Sequence, residues 1–71
     1  MELYYETSLS AYILLQEVKK ELDIRETPEE SLKNGNYKKI IKRCYKVIEE
    51  RYPDLKNQER LKHYISNIFQ K

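Results

Sequence analysis

Asn34-Gly35-Asn36-Tyr37-Lys38-Lys39-Ile40-Ile41-Lys42-Arg43-Cys44-Tyr45-Lys46-Val47-Ile48-Glu49-Glu50-Arg51-Tyr52-Pro53 is the stretch that decides the fold. Tyr37, Ile40, Ile41, Cys44, Val47, Ile48 and Tyr52 recur at three- and four-residue intervals, the period of a helix with one wide apolar face. Both ends are marked. Gly35 tolerates the left-handed conformation that closes a preceding helix. Pro53 has no amide hydrogen to donate and disfavours a helical Tyr52. The stretch therefore reads as a helix over 37–52, with Asn36 as its cap.

Working upstream, Thr27-Pro28-Glu29-Glu30 is a helix start. Thr27 accepts from the third amide, Pro28 suits the first turn, and Glu30 reaches back to complete a capping box. A short helix near 28–33 follows. Earlier still, Ala11, Leu14, Leu15, Val18 and Leu22 keep helical spacing, with Leu9 and Ile13 widening the stripe. This predicts a helix over 8–24, capped by Thr7, Ser8 or Ser10 and fraying near Asp23–Arg25, with upstream Leu3, Tyr4 and Tyr5 either extending it or packing as an arm. Downstream, Asp54 or Asn57 opens a last helix over 57–70, with Leu61, Tyr64, Ile65, Ile68 and Phe69 on one face. No segment alternates as a strand does. The expectation is an all-α protein, a small bundle of three main helices and one short one, in a single domain spanning residues 1–71.

Composition narrows what such a domain does. The 71 residues include one Gly, two Pro, one Cys and one His. That excludes a glycine-rich phosphate cradle, a disulfide framework and a zinc site built by this chain alone. A domain of this size hides only about 60% of its unfolded surface, so it has little interior for a water-excluding catalytic pocket. No enzymatic activity, cofactor, metal or small-molecule substrate is expected. The longest apolar run is Ala11–Leu15, so no membrane segment is expected either. A lone Cys44 suits a reducing, cytoplasmic setting.

Charge is distributed unevenly. Residues 1–31 carry eight acids against three bases, a net of −5, and residues 32–71 carry eleven bases against four acids, a net of +7. On the third helix, Lys38, Lys39, Lys42, Arg43 and Lys46 fall within an arc of about 140° at 100° per residue. The like-charged pairs Lys38–Lys42, Lys39–Arg43 and Lys42–Lys46 each cost a few tenths of a kcal/mol, roughly. Cations early in a helix also oppose its dipole. The compensation is either the acidic half of the same chain or an anionic partner, namely a polyanion or an acidic protein surface.

The last helix, Leu61-Lys62-His63-Tyr64-Ile65-Ser66-Asn67-Ile68-Phe69-Gln70-Lys71, turns Lys62, His63, Ser66, Asn67 and Gln70 away from its apolar face. Side chains of these types read base edges or hold phosphates in helix-turn-helix proteins. The run resembles the recognition helix of LuxR-type regulators, which commonly reads Val-Lys-x-His-Ile-Ser-Asn-Ile-x-x-Lys-Leu. Lys62, Ile65, Ser66, Asn67, Ile68 and Lys71 fall on matching positions, with Tyr64 in place of the His. The resemblance implies base or phosphate contacts from this helix. It covers eleven residues, and upstream Arg51-Tyr52-Pro53-Asp54 puts a proline where that family's scanning helix runs. Separately, Gly35-Asn36-Tyr37 with the aliphatic run up to Pro53 looks like the second helix of a tetratricopeptide repeat, although Ile40 stands where a small residue is expected.

Seven tyrosines and no tryptophan give the chain rings that are apolar on their faces and wet at the hydroxyl. Tyr4, Tyr5 and Tyr12 form a candidate protein interface on the first helix. Together these features lead us to expect a small protein-binding module or regulator acting through helix surfaces, including as a homodimer. The alternative is a DNA-binding protein using the basic face of the third helix and the helix-turn-helix-like last one.

Overall fold

The structure, a computed structural model, describes the backbone of residues 2–70 and the side chains of residues 9–70. Four helices follow one another: α1 (Glu2–Glu21), α2 (Pro28–Asn34), α3 (Asn36–Arg51) and α4 (Leu55–Ile68). Among the described residues there is no strand. Helices α1, α3 and α4 pack on one another, and short α2 lies against α3.

Each long helix brings an aliphatic row to a common core. Ala11, Leu14, Leu15 and Val18 come from α1, Ile40, Cys44 and Ile48 from α3, and Leu61 and Ile65 from α4, with Phe69 just beyond it. The three- and four-residue steps in these rows are what place them on one side of each helix. Tyr37, Ile41, Val47 and Tyr52 are half-buried around this core, so the fully buried face of α3 is narrower than its apolar pattern. Every row is continuous from turn to turn.

Three contacts fix how α3 and α4 lie. The Tyr37 and Phe69 rings stand 6.5 Å apart. The Tyr45 hydroxyl is 2.6 Å from Ser66 Oγ. Lys62 Nζ is 2.7 Å from Glu49 Oε2. As residue numbers rise along α3 they fall along α4, and contact persists to the ends furthest from the link. The two helices therefore form an antiparallel αα-hairpin joined by Tyr52–Asp54. A helix-turn-helix pair crossing at roughly 90–120° would diverge away from its turn.

Local chemistry sets the boundaries. Thr27 and Glu30 make the expected capping box, with Glu30 N donating to Thr27 Oγ1 and Thr27 N to Glu30 Oε1. Asp54 rather than Asn57 caps α4, accepting from Lys56 N at 3.1 Å, so that helix starts two residues before the expected 57 and ends at Ile68. Asn36 does not cap α3. Gly35 holds that position, and Asn36, the first helical residue, donates from Nδ2 to Glu26 Oε2 instead.

Glu26 ties the bend between α1 and α2 to the α2–α3 junction. Its carboxylate accepts from buried Ser31 Oγ at 2.7 Å, from Asn36 Nδ2 at 2.9 Å and from Asn34 Nδ2 at 3.0 Å. Hydrogen bonds from Ser31 and Asn36 hold this carboxyl below its ordinary range. Three neutral donors favour the charged form.

The first helix differs from the expected 8–24 at both ends. It runs through Thr7, Ser8 and Ser10, because nothing in Glu2–Glu6 breaks a helix. It closes earlier because Asp23 takes the left-handed conformation at φ 58°. Ile24 N then donates to Lys19 O and Asp23 N to Lys20 O, a Schellman closure built without glycine. Gly35 also takes the left-handed conformation, at φ 88°, and closes α2 with the single bond from its own amide to Ser31 O, with open space where a Cβ would stand. Opposite substitutions at the two sites should therefore have opposite effects. Asp23→Gly relieves a left-handed non-glycine residue and should stabilise by up to about 1 kcal/mol, whereas Gly35→Ala should destabilise by about 1 kcal/mol. Urea unfolding followed by circular dichroism measures both, and shifts of the same sign would contradict the assignment.

Candidate functional site

The six basic residues of α3 separate into two groups, two arginines and four lysines. Arg43 leans toward α1, with Nη2 3.0 Å from Glu21 Oε2, and its Nε is buried without a hydrogen-bond partner. Arg51, further along α3, reaches Glu17 at 3.5 Å. These two pairs are the described ionic contacts between the acidic and basic halves. Both are partly exposed, so each contributes about 1 kcal/mol or less. Lys38, Lys39, Lys42 and Lys46 are exposed, and none has an ion-pair partner among the described residues. Lys39, Lys42, Arg43 and Lys46 surround half-buried Leu22 in a shallow open hollow.

The polar set on α4 divides: Lys62 and Ser66 are half-buried, while His63, Asn67 and Gln70 are exposed. Lys62 lies on the seam with α3, paired to Glu49 and 5.3 Å from the centre of the Tyr45 ring. Ser66 shares a hydrogen bond with Tyr45. Asn67 Nδ2 is 3.2 Å from His63 Nε2 one turn back on the same helix. Gln70 is exposed just past the helix end. The five residues border a common open groove, together with Tyr45 and Glu59. Two of the side chains matched to a recognition helix thus serve the α3–α4 contact.

On α1, Tyr12 is exposed as expected, at 55%. Tyr4 and Tyr5 lie outside the described side chains. Leu9 and Ile13, read from the sequence as part of the buried stripe, are instead 50% and 49% exposed. The helical wheel explains this correction. Both sit about 160° around the helix from Ala11, the most buried residue of the row, on the far side from Leu15 and Val18. Leu9, Tyr12 and Ile13 therefore make an outer apolar stripe at i, i+3 and i+4, next to exposed Gln16. Periodicity alone had grouped them with the core because α1 is apolar on two sides.

Cys44 lies at the centre of the α3 core row with no exposed surface, as a free thiol. Burial pushes its pKa up to about 12. Among the described residues no cluster of His, Cys, Asp and Glu is arranged to hold a metal, and no helix is long and apolar enough to cross a membrane. No protein family, curated protein or solved structure matches the chain.

Proposed function

We propose that this protein is a non-enzymatic protein-binding module that docks through the outer face of α1, and that the first partner of that face is a second copy of the chain. The observation that carries the reading is the Leu9–Tyr12–Ile13 stripe, three large apolar side chains left half exposed on one helix while ten others fill the core. A single helical stripe is suited to isologous pairing. Two antiparallel copies of α1 related by a twofold axis would set Leu9 of each against Ile13 of the other, with Tyr12 on the flank. The non-enzymatic part of the proposal is supported by the two perturbed groups. Glu26 is already occupied by Ser31, Asn34 and Asn36, and the Cys44 thiol is sealed in the core. A free, reduced cysteine also supports a cytoplasmic location.

Three half-exposed side chains fall well short of the ~800 Å² per partner of a standard interface, so self-association should be weak, with Kd of about 10 μM to 1 mM. Sedimentation equilibrium should show a mass that rises from monomer toward dimer across that range. The Tyr12→Ser/Ile13→Ser variant should stay monomeric with an unchanged helical signal. A wild-type mass fixed at the monomer through about 1 mM, or a variant that associates equally well, would overturn the reading.

A further inference from the structure

We infer that the lysine face of α3 is a docking surface for the phosphate backbone of duplex nucleic acid, a site separate from the α1 stripe and independent of it. Lys38, Lys39, Lys42 and Lys46 project from consecutive turns and span about 12 Å along the helix axis. One strand of a duplex presents three to four phosphates over roughly that distance.

Internal neutralisation of this face is incomplete in a specific way. The acids of α1 that reach α3 are already engaged, Glu21 by Arg43 and Glu17 by Arg51; on α3 itself Glu49 is held by Lys62, and Glu50, one turn past Lys46, is a single charge against four lysines. Four like charges are left on one helix, close to an N-terminus that begins at Gly35 with no side-chain cap. Their mutual repulsion and their opposition to the dipole are costs that an external anion would relieve.

Two observations select nucleic acid over an acidic protein. Protein interfaces are built on aromatic and apolar anchors and are poor in lysine at their centres. Here the floor beneath the lysines offers one aliphatic side chain, half-buried Leu22. Phosphate contacts need no such anchor, since they work through flexible point charges. Duplex is favoured over single strand because the face carries no aromatic ring for bases to stack on. Tyr45 and Tyr37, the rings of this helix nearest the lysines in sequence, are spent on Ser66 and Phe69.

The test is fluorescence anisotropy with a labelled duplex DNA, titrated with the full chain at several salt concentrations. Binding should show a slope of log K against log salt of about −3 to −4, the value for four neutralised phosphates. Lys42→Gln/Lys46→Gln should weaken binding by about tenfold or more at low salt and reduce the slope by about two. Folding is not the obstacle, because removing like charges from a helix face leaves it at least as stable. The control is Lys56→Gln/Arg60→Gln. Those basic residues stand at the start of α4, and the antiparallel pairing puts them beside the other end of α3. That variant should keep the slope. No binding at low salt, a slope insensitive to the α3 substitutions, or equal loss in the control would each overturn the proposal. So would polyglutamate competing as well as unlabelled duplex at equal charge, which would assign the face to an acidic protein.

Discussion

Native Cys44 should resist alkylation at pH 8 by at least about a thousandfold relative to the unfolded chain. Two effects combine. The reactive species is the thiolate, and an ordinary cysteine with a pKa of about 8.5 is roughly one quarter ionised at that pH. With burial raising the Cys44 pKa to about 12, only about one part in ten thousand is ionised. The side chain also has no exposed surface, so a reagent meets it only when the bundle opens. Labelling should therefore follow the population of opened molecules, with a rate set by the opening equilibrium. Mass spectrometry after timed iodoacetamide treatment, with and without about 6 M guanidinium, separates the two states. Rapid labelling of the native protein would place Cys44 outside the core and with it the register of α3.

Ile65→Ala should remove about half of the stability of the domain. Ile65 is fully buried on α4 where that helix meets both α1 and α3. Truncating such an isoleucine costs about 2–5 kcal/mol, the lost transfer energy plus the cavity left behind. A domain of this length has about 4–10 kcal/mol in total. The melting temperature should fall by at least about 10 °C. Ile13→Ala deletes the same atoms from the outer face of α1 and should change stability by less than about 0.5 kcal/mol. Thermal melts of the two variants compare one side chain in the two environments. Equal losses would mean that α1 buries the opposite face from the one described.

The elements legible from sequence are those whose signals are local. The α3 stripe between Gly35 and Pro53, and the Thr27–Glu30 box, each depend on residues within one or two turns of each other. What was not legible depended on distance or on choices between equivalents. The sequence marks the end of α1 near Asp23–Arg25, but not that Asp23 itself closes the helix in a conformation usually given to glycine or asparagine. Asn36 looks like a cap, yet its side chain is drawn to Glu26, ten residues earlier, once the loop folds back.

The candidate surfaces follow the same division. That Lys38, Lys39, Lys42 and Lys46 share a face with Arg43 was readable from spacing. That Arg43 alone would be claimed by Glu21 was not, because it depends on where α1 lies. Lys62 and Ser66 read as outward-facing until α3 is laid antiparallel against them. Leu9 and Ile13 were misread for a different reason. A helix apolar on two sides gives no preference for which side is buried, and the choice was made by the rows that α3 and α4 bring to it.

If a second copy of the chain occupies the outer face of α1, the amides of that face should respond to dilution. The most direct measurement is a dilution series of amide nuclear magnetic resonance spectra from about 1 mM to about 20 μM. Concentration-dependent shifts should concentrate on residues 9–16 and fade toward the core-facing positions of the same helix, and the spectrum of Tyr12→Ser/Ile13→Ser should stay unchanged on dilution. Shifts centred on the α3–α4 groove, or a wild-type spectrum invariant over the whole series, would contradict that occupancy.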